Sequence, residues 1–495
     1  MRCYWSFVFP FTGLSEHPSP HVPAPFRVSA TVGAGTTAGR HRHRDWAHDM
    51  NSGPLTPKAA FHPRTAAHRD KGLGKLRLRD AVAMAVGGMI GGGIFSVLGV
   101  TVALAGHLAV GSFIIGGAIA MVTAHSFAAL SARAGRSGGL FVYLHNAGYP
   151  RAGSYISWLL MFGYLIALAV YGFTFGHYAA HAFGLPGAFA NGFAVLILLV
   201  FLGINLRGVG ASALSEDVVV LTKVAVLALI SAIGFVHFSP ERLAPLDDKG
   251  LAGVIVASAS IFVAYEGFEL LSYDYDDLVR PRRTLPRALY LSVAIVTLVY
   301  VTVTVGSQML VSDSVIVAQK EVAFAAAGQA ALGPAGYWIA SLGALLAASS
   351  AINATLFSTA RQMHEIALAK ELPAAFARSR AGLPATALVF LAVFGGAFAM
   401  LPDITVLLTF GSAVFLAVFG ATNLLAARVL PGFWPRLVSG TGFVACLGAV
   451  AILGIQLSLH DRATLLLIGV SLASISALRL AFVWHQHRGP RRGAA

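Results

Sequence analysis

Five glycines within seven residues, Gly87-Gly88-Met89-Ile90-Gly91-Gly92-Gly93, sit inside an apolar run from Ala81 to about Ala105. Each glycine costs a helix about 1 kcal/mol relative to alanine. The run is therefore long enough to cross a bilayer, yet poorly suited to one continuous helix. Two arrangements satisfy that combination. A helix can break near the midplane if its freed backbone groups face protein or a water-filled cavity, and its second half then offers N–H groups to an anionic ligand. Alternatively, Gly87/Gly91 and Gly88/Gly92 form small-residue packing seams between intact helices. Glycine density does not choose between them.

The surrounding sequence is that of a polytopic membrane protein. Of 495 residues, 57% are hydrophobic and 11% charged, and the mean hydropathy is +0.74. From Arg79 onward about twelve apolar segments are long enough to span, near 80–104, 108–132, 153–182, 189–206, 216–237, 251–276, 287–311, 334–367, 384–401, 403–427, 436–457 and 462–484. A net charge of +14 would suit a nucleic-acid partner, but its placement argues for topology instead. One set of loops carries Arg77/Arg79, Arg133/Arg136/Arg151, Arg207, Arg280/Arg282/Arg283/Arg287, Arg361/Lys370/Arg378/Arg380, Arg428/Arg436 and Arg488/Arg491/Arg492. The opposite set holds only Arg242, Lys249, Lys320 and Arg462. This bias places both termini in the cytoplasm of a cell whose plasma membrane the chain crosses repeatedly.

Residues 1–75 form a basic tail rich in Pro, Gly, His and Arg, expected to be disordered. Its apolar patch is too short and Pro-interrupted for a signal peptide, and Met50 opens a tail of more ordinary length. Residues 485–495 make a short basic C-terminal tail. Cys3 and Cys446 are too far apart in character to suggest a disulfide framework, and no cofactor or metal centre is implied.

Three polar features interrupt otherwise apolar spans. The sixth reads Val263-Ala264-Tyr265-Glu266-Gly267-Phe268-Glu269. Its two carboxylates lie on neighbouring helical positions, and Gly267 between them marks a second break. Ionisable groups at such depth are functional by default, because burying them without solvent or a partner costs several kcal/mol. The fifth span holds Lys223, about a third of the way in from the cytoplasmic side, where snorkelling is the competing reading. The eighth contains Ser349, Ser350, Asn353 and Thr355, for which interhelical hydrogen bonding is the competing reading. The Gly-broken spans are the first and the sixth. That spacing matches two five-span inverted repeats whose leading helices are both interrupted and flank a site, with two helices appended.

These residues resemble the amino acid–polyamine–organocation permeases, which share the inverted-repeat fold of the bacterial leucine transporter. Gly91-Gly92-Gly93-Ile94-Phe95 is similar to the family's Gly-x-Gly-Ile-Phe signature, and Ala264–Glu269 followed by Arg280–Arg287 resembles its span-6 motif and loop. Arg136–Tyr143 and Ser350–Pro373 are similar to two further stretches. The resemblance covers about Leu76 to Trp484. It implies a carrier for an amino acid or related amine. The substrate carboxylate would meet N–H groups around Met89, Ile90, Gly91, Gly92 and Gly93, and its ammonium would meet the backbone of Val263, Ala264, Tyr265, Glu266 and Gly267. Met161 and Tyr164 from the third span, with Asn353 and Thr355 from the eighth, would line the side walls. Lys223 would occupy the place of a sodium ion, making the carrier proton-coupled, with Glu269 responding to protons. The sequence departs from the family at Val263, where many members have an aromatic lid, at Glu266, where many are apolar, and at Arg280, which replaces Asn.

Other classes stay in view. An exchanger or uncoupled facilitator would use the same fold, as would a non-transporting nutrient sensor. A membrane-embedded enzyme would draw on His107, His125, His177, Asp274, Asp276 and Asp277, but these lack metal-ligand spacing and no nucleophile–base motif accompanies them.

Overall fold

The computed structural model describes residues 75–208, 213–244, 249–379 and 383–488. The tail expected over 1–75, including His41, His43, His48 and Cys3, lies outside the described residues apart from Lys75, as do residues 489–495. Helices account for nearly all of the described chain. Among the described residues nine segments are long and apolar enough to cross a membrane, or ten when one bent pair is taken as a single span. The protein is an all-α, multi-pass membrane protein.

The first apolar run adopts the broken arrangement. Helix α1 (Leu78–Met89) stops, and α2 (Gly93–Ala105) begins after three intervening residues. A tight turn through Gly106 leads into α3 (Ala109–Ala134), then the short α4 (Gly139–Asn146), α5 (Pro150–Ala182), α6 (Ala190–Leu206) and α7 (Ala213–Val236). The second break follows α8 (Gly250–Ser260). The chain continues as tight 3-10 turns over Phe262–Tyr265 and Phe268–Asp277, bent by 54° from α8. Next come α9 (Pro281–Leu310), the short α10 (Asp313–Ala318) and α11 (Ala323–Leu368), which is interrupted at Leu332 and Gly333 before Pro334. The 15-residue α12 (Ala385–Ala399), α13 (Ile404–Val429), α14 (Phe433–His460) and α15 (Arg462–Arg488) complete the chain.

Burial separates the helices that hold the breaks from those at the rim. In α5, 78% of the most apolar stretch is buried, against 6% in α15. An apolar helix with no buried face must meet lipid, so α15 lies at the periphery and α5 at the centre. Short backbone ties fix the Arg-rich end of the broken spans. The Leu76 amide donates to Asp277 O and the Val279 amide to Leu76 O, both at 2.9 Å. Arg280, at the start of α9, stands at φ 51. Asn tolerates this left-handed region better than most residues, which gives a physical reason for the Asn of the family pattern; here Arg holds the same turn.

Candidate functional site

The two breaks meet. A Cβ added at Gly267 would lie 2.9 Å from the Gly88 carbonyl carbon, and one at Gly93 would lie 3.5 Å from the Ala264 Cα. The approach at Gly267 requires glycine, and Gly267 also stands at φ 116, a conformation L side chains rarely adopt. Tyr300 on α9 joins the two: its hydroxyl lies 2.8 Å from both Met89 O and Ala264 O. It has one proton to share between two carbonyls that no longer have helical partners.

At the first break, Ile90 still donates to Val86 O. Lys223, fully buried on α7, donates from Nζ to Gly87 O at 2.7 Å. In an intact helix Gly87 O would accept from the Gly91 amide. The ammonium therefore takes up a carbonyl at the C-terminal end of α1, where the helix dipole also favours a cation. Gly91 and Gly92 lie under the Tyr171 ring of α5, and Ala351 of α11 closes on Gly91. The Ser96 hydroxyl hydrogen-bonds both Gly92 O and the Thr174 hydroxyl.

The second break carries the charge. Glu266 is extended, and its Oε2 accepts from the Tyr171 hydroxyl at 2.8 Å. Its Oε1 is buried with no hydrogen-bond partner among the described residues. Glu269 accepts from the Tyr164 hydroxyl at 3.1 Å and from the Gly267 amide at 2.9 Å. On α13, Ser412 accepts from the Val263 amide and donates to Ser260 O, holding the end of α8 open. Lys223, Glu266 and Glu269 are the fully buried Lys, Arg, Asp or Glu side chains among the described residues.

Most of the expected site residues are gathered here, but not all. Met89, Ile90, Gly91, Gly92, Gly93, Val263, Ala264, Glu266, Gly267 and Glu269 lie at the breaks, with Tyr164 on Glu269 and Met161 buried one turn away from it. Thr355 is buried one turn beyond Ala351, on the same helix face. Tyr265 points the other way, its hydroxyl donating to Phe113 O of α3 at 2.6 Å. Asn353 is two positions from Ala351, hence on the opposite side of α11, and its Oδ1 accepts from Asn205 of α6. The histidines considered for an enzyme are dispersed: His107 pairs with Asp313, His125 with Tyr290, and His177 with a backbone carbonyl of its own helix.

Tyr171, Thr174, Tyr300 and Ser412 escaped the sequence reading. A signal for the first existed. Tyr164, Tyr171 and Tyr178 recur every seven residues, which keeps them on one helix face, and their hydroxyls reach Glu269, Glu266 and Phe95 O in turn.

The sequence model of the amino acid permease family matches residues 76–471, from two residues before α1 into α15. The chain belongs to this family. Among relatives of the permease, an uncharacterized protein of Methanocaldococcus jannaschii, MJ0609, is 31% identical over 70% of this chain and 80% of its own length. The methylthioribose transporter of Bacillus subtilis is 28% identical over 66% and 74%. The inner membrane transport protein YbaT of Escherichia coli is 28% identical over 81% and 94%. The latter two are named for transport, and the similarity runs along most of the chain rather than over a single motif.

Proposed function

We propose that the permease is a proton-coupled secondary carrier for amino acids or related amines, working by alternating access across the plasma membrane. In this reading the chain crosses about twelve times, with spans 1–5 and 6–10 as inverted repeats, two helices appended and both termini cytoplasmic. Substrate sits between the breaks, its anionic end toward Gly91–Gly93 and its ammonium toward Val263–Gly267. The relatives named for methylthioribose and, in Arabidopsis thaliana, for cationic amino acids indicate how widely substrates vary on this scaffold.

The observation that carries the coupling is the contact of Lys223 Nζ with Gly87 O. A buried ammonium at the end of α1 opposes a sodium ion in the same place by like-charge repulsion. It also makes the helix end depend on the protonation of one side chain, since only the charged form donates strongly to the freed carbonyl. Glu269, tied to the other break, is placed to exchange a proton as the two halves separate.

Uptake into proteoliposomes under an inward pH gradient, with and without Na⁺, tests this reading. Gradient-driven accumulation independent of Na⁺ is expected, and Lys223→Ala should reduce it at least tenfold. Na⁺-dependent accumulation that ignores the gradient would refute proton coupling. Exchange without net accumulation would make the permease an exchanger or facilitator.

A further inference from the structure

We propose that Glu266 is the receptor for a primary ammonium on a substrate of net positive charge, so that charge, more than an α-carboxylate, governs what the permease accepts. The inference rests on the carrier reading above. It starts from the acceptors left free where the breaks meet. Val263 O already accepts from the Glu266 amide, and Ala264 O from Tyr300. Both oxygens of Glu269 are engaged, by Tyr164 and by the Gly267 amide. Glu266 Oε2 is engaged by Tyr171, which leaves Glu266 Oε1, buried and unpartnered among the described residues, as the carboxylate oxygen without a donor.

Charge points the same way. Two carboxylates and one ammonium are fully buried, and the ammonium of Lys223 faces α1 at Gly87. A zwitterion entering this cluster adds no net charge, whereas a ligand with one excess positive charge would let both carboxyl groups ionise. An ionised carboxylate out of water needs such a partner. Geometry adds a further bias. The Tyr171 ring lies over Gly91 and Gly92 while its hydroxyl is held by Glu266. An ammonium can join Oε1 without displacing that ring, whereas a carboxylate seeking the Gly91–Gly92 backbone must compete with it. Tyr171 is thus a positioning residue, holding one carboxylate oxygen so that the other faces the ligand.

The test compares three probes on the purified permease: lysine, its neutral analogue norleucine, and 1,4-diaminobutane. Ligand-dependent thermal stabilisation reports affinity, because stabilisation grows as ligand exceeds its Kd. Lysine is expected to bind at least tenfold more tightly than norleucine, a difference of about 1.4 kcal/mol, and Glu266→Gln should bring that ratio close to one. Binding of 1,4-diaminobutane comparable to lysine would assign the site to amines at large; binding of lysine alone would restrict it to cationic amino acids. Equal binding of lysine and norleucine by the wild-type protein overturns the proposal without any variant, and so does a preference that survives Glu266→Gln. Failure of the carrier reading looks different: cations bind and depend on Glu266, yet none accumulates in proteoliposomes.

Discussion

The two broken helices share a place in the fold but hold their breaks open by different means. The first loses its helix at Ile90–Gly92, where no side chain carries charge, and apart from Ser96 reaching back to Gly92 O is secured from outside: Lys223 on Gly87 O, Tyr171 over Gly91 and Gly92, and Tyr300 on Met89 O. The second is also tied from outside, by Ser412, Tyr164, Tyr171 and Tyr300, but adds devices of its own. Gly267 turns the chain at φ 116, and the Glu269 side chain caps the Gly267 amide two residues back. One break is a neutral backbone surface whose stability is lent by its neighbours. The other is a charged, self-braced turn. On the proposed carrier reading, the neutral side would respond to the protonation of Lys223 while the acidic side would keep its shape for a cation.

The sharpest way to break that contrast is Gly267→Ala. The new methyl would meet Gly88 backbone at 2.9 Å, and the residue would keep a conformation unfavourable for any L side chain. Backbone strain costs about 1–3 kcal/mol and overpacking a similar amount. Loss of uptake together with a lowered unfolding midpoint is expected. Wild-type uptake by this variant would mean that the close approach of the breaks is dispensable.

A smaller effect is expected from Tyr300→Phe, which removes the hydroxyl shared by Met89 O and Ala264 O. Each buried carbonyl left without a donor costs about 1–3 kcal/mol, offset in part by water if the cavity admits it. If the first break depends on neighbours and the second braces itself, hydrogen exchange should rise more around Met89–Gly93 than around Ala264–Glu269. An equal rise would remove the distinction.

What the sequence disclosed of this arrangement follows from the kind of signal each part leaves. Glycines and charges inside apolar runs stand out because both are costly there, so Gly87–Gly93, Gly267, Lys223, Glu266 and Glu269 are legible one at a time. The hydroxyl groups that secure the breaks are not. Tyr300 and Ser412 donate to backbone carbonyls on other helices, and nothing in their own sequence neighbourhood records that the carbonyls are free. On α5, buried nearly all round, no apolar stripe gives the helical phase; only the sevenfold tyrosine spacing does. Asn353 illustrates the converse. A polar residue near a site draws attention, but its phase relative to Ala351 turns it toward Asn205 on α6.

The least expected effect, and the one that sharpens the comparison at the membrane surface, is Asp403→Asn. Helix α2, the second half of the first broken span, is packed so tightly that a Cβ at Gly99 would lie 2.4 Å from Lys320 backbone atoms. Lys320 in turn donates to Asp403 Oδ1 at 2.9 Å, beside the Thr405 amide that the same carboxylate caps. Burial alone would raise the Asp403 carboxyl, but the Thr405 hydrogen bonds and Lys320 outweigh it and hold it below its ordinary value. A carboxyl depressed in the folded state stabilises at pH above its unfolded value of about 3.9, and that contribution disappears as pH falls through the folded value. Asn keeps an oxygen for the helix cap, so the substitution isolates the charge. The pair is partly exposed, so its loss should cost less than about 1 kcal/mol at neutral pH. Unfolding midpoints of wild type and variant should therefore differ slightly at pH 7 and converge once the pH falls below the folded value of Asp403. A difference that persists at low pH, or that leaves uptake kinetics changed while the midpoints agree, would mean that Asp403 acts on α2 by something other than its charge.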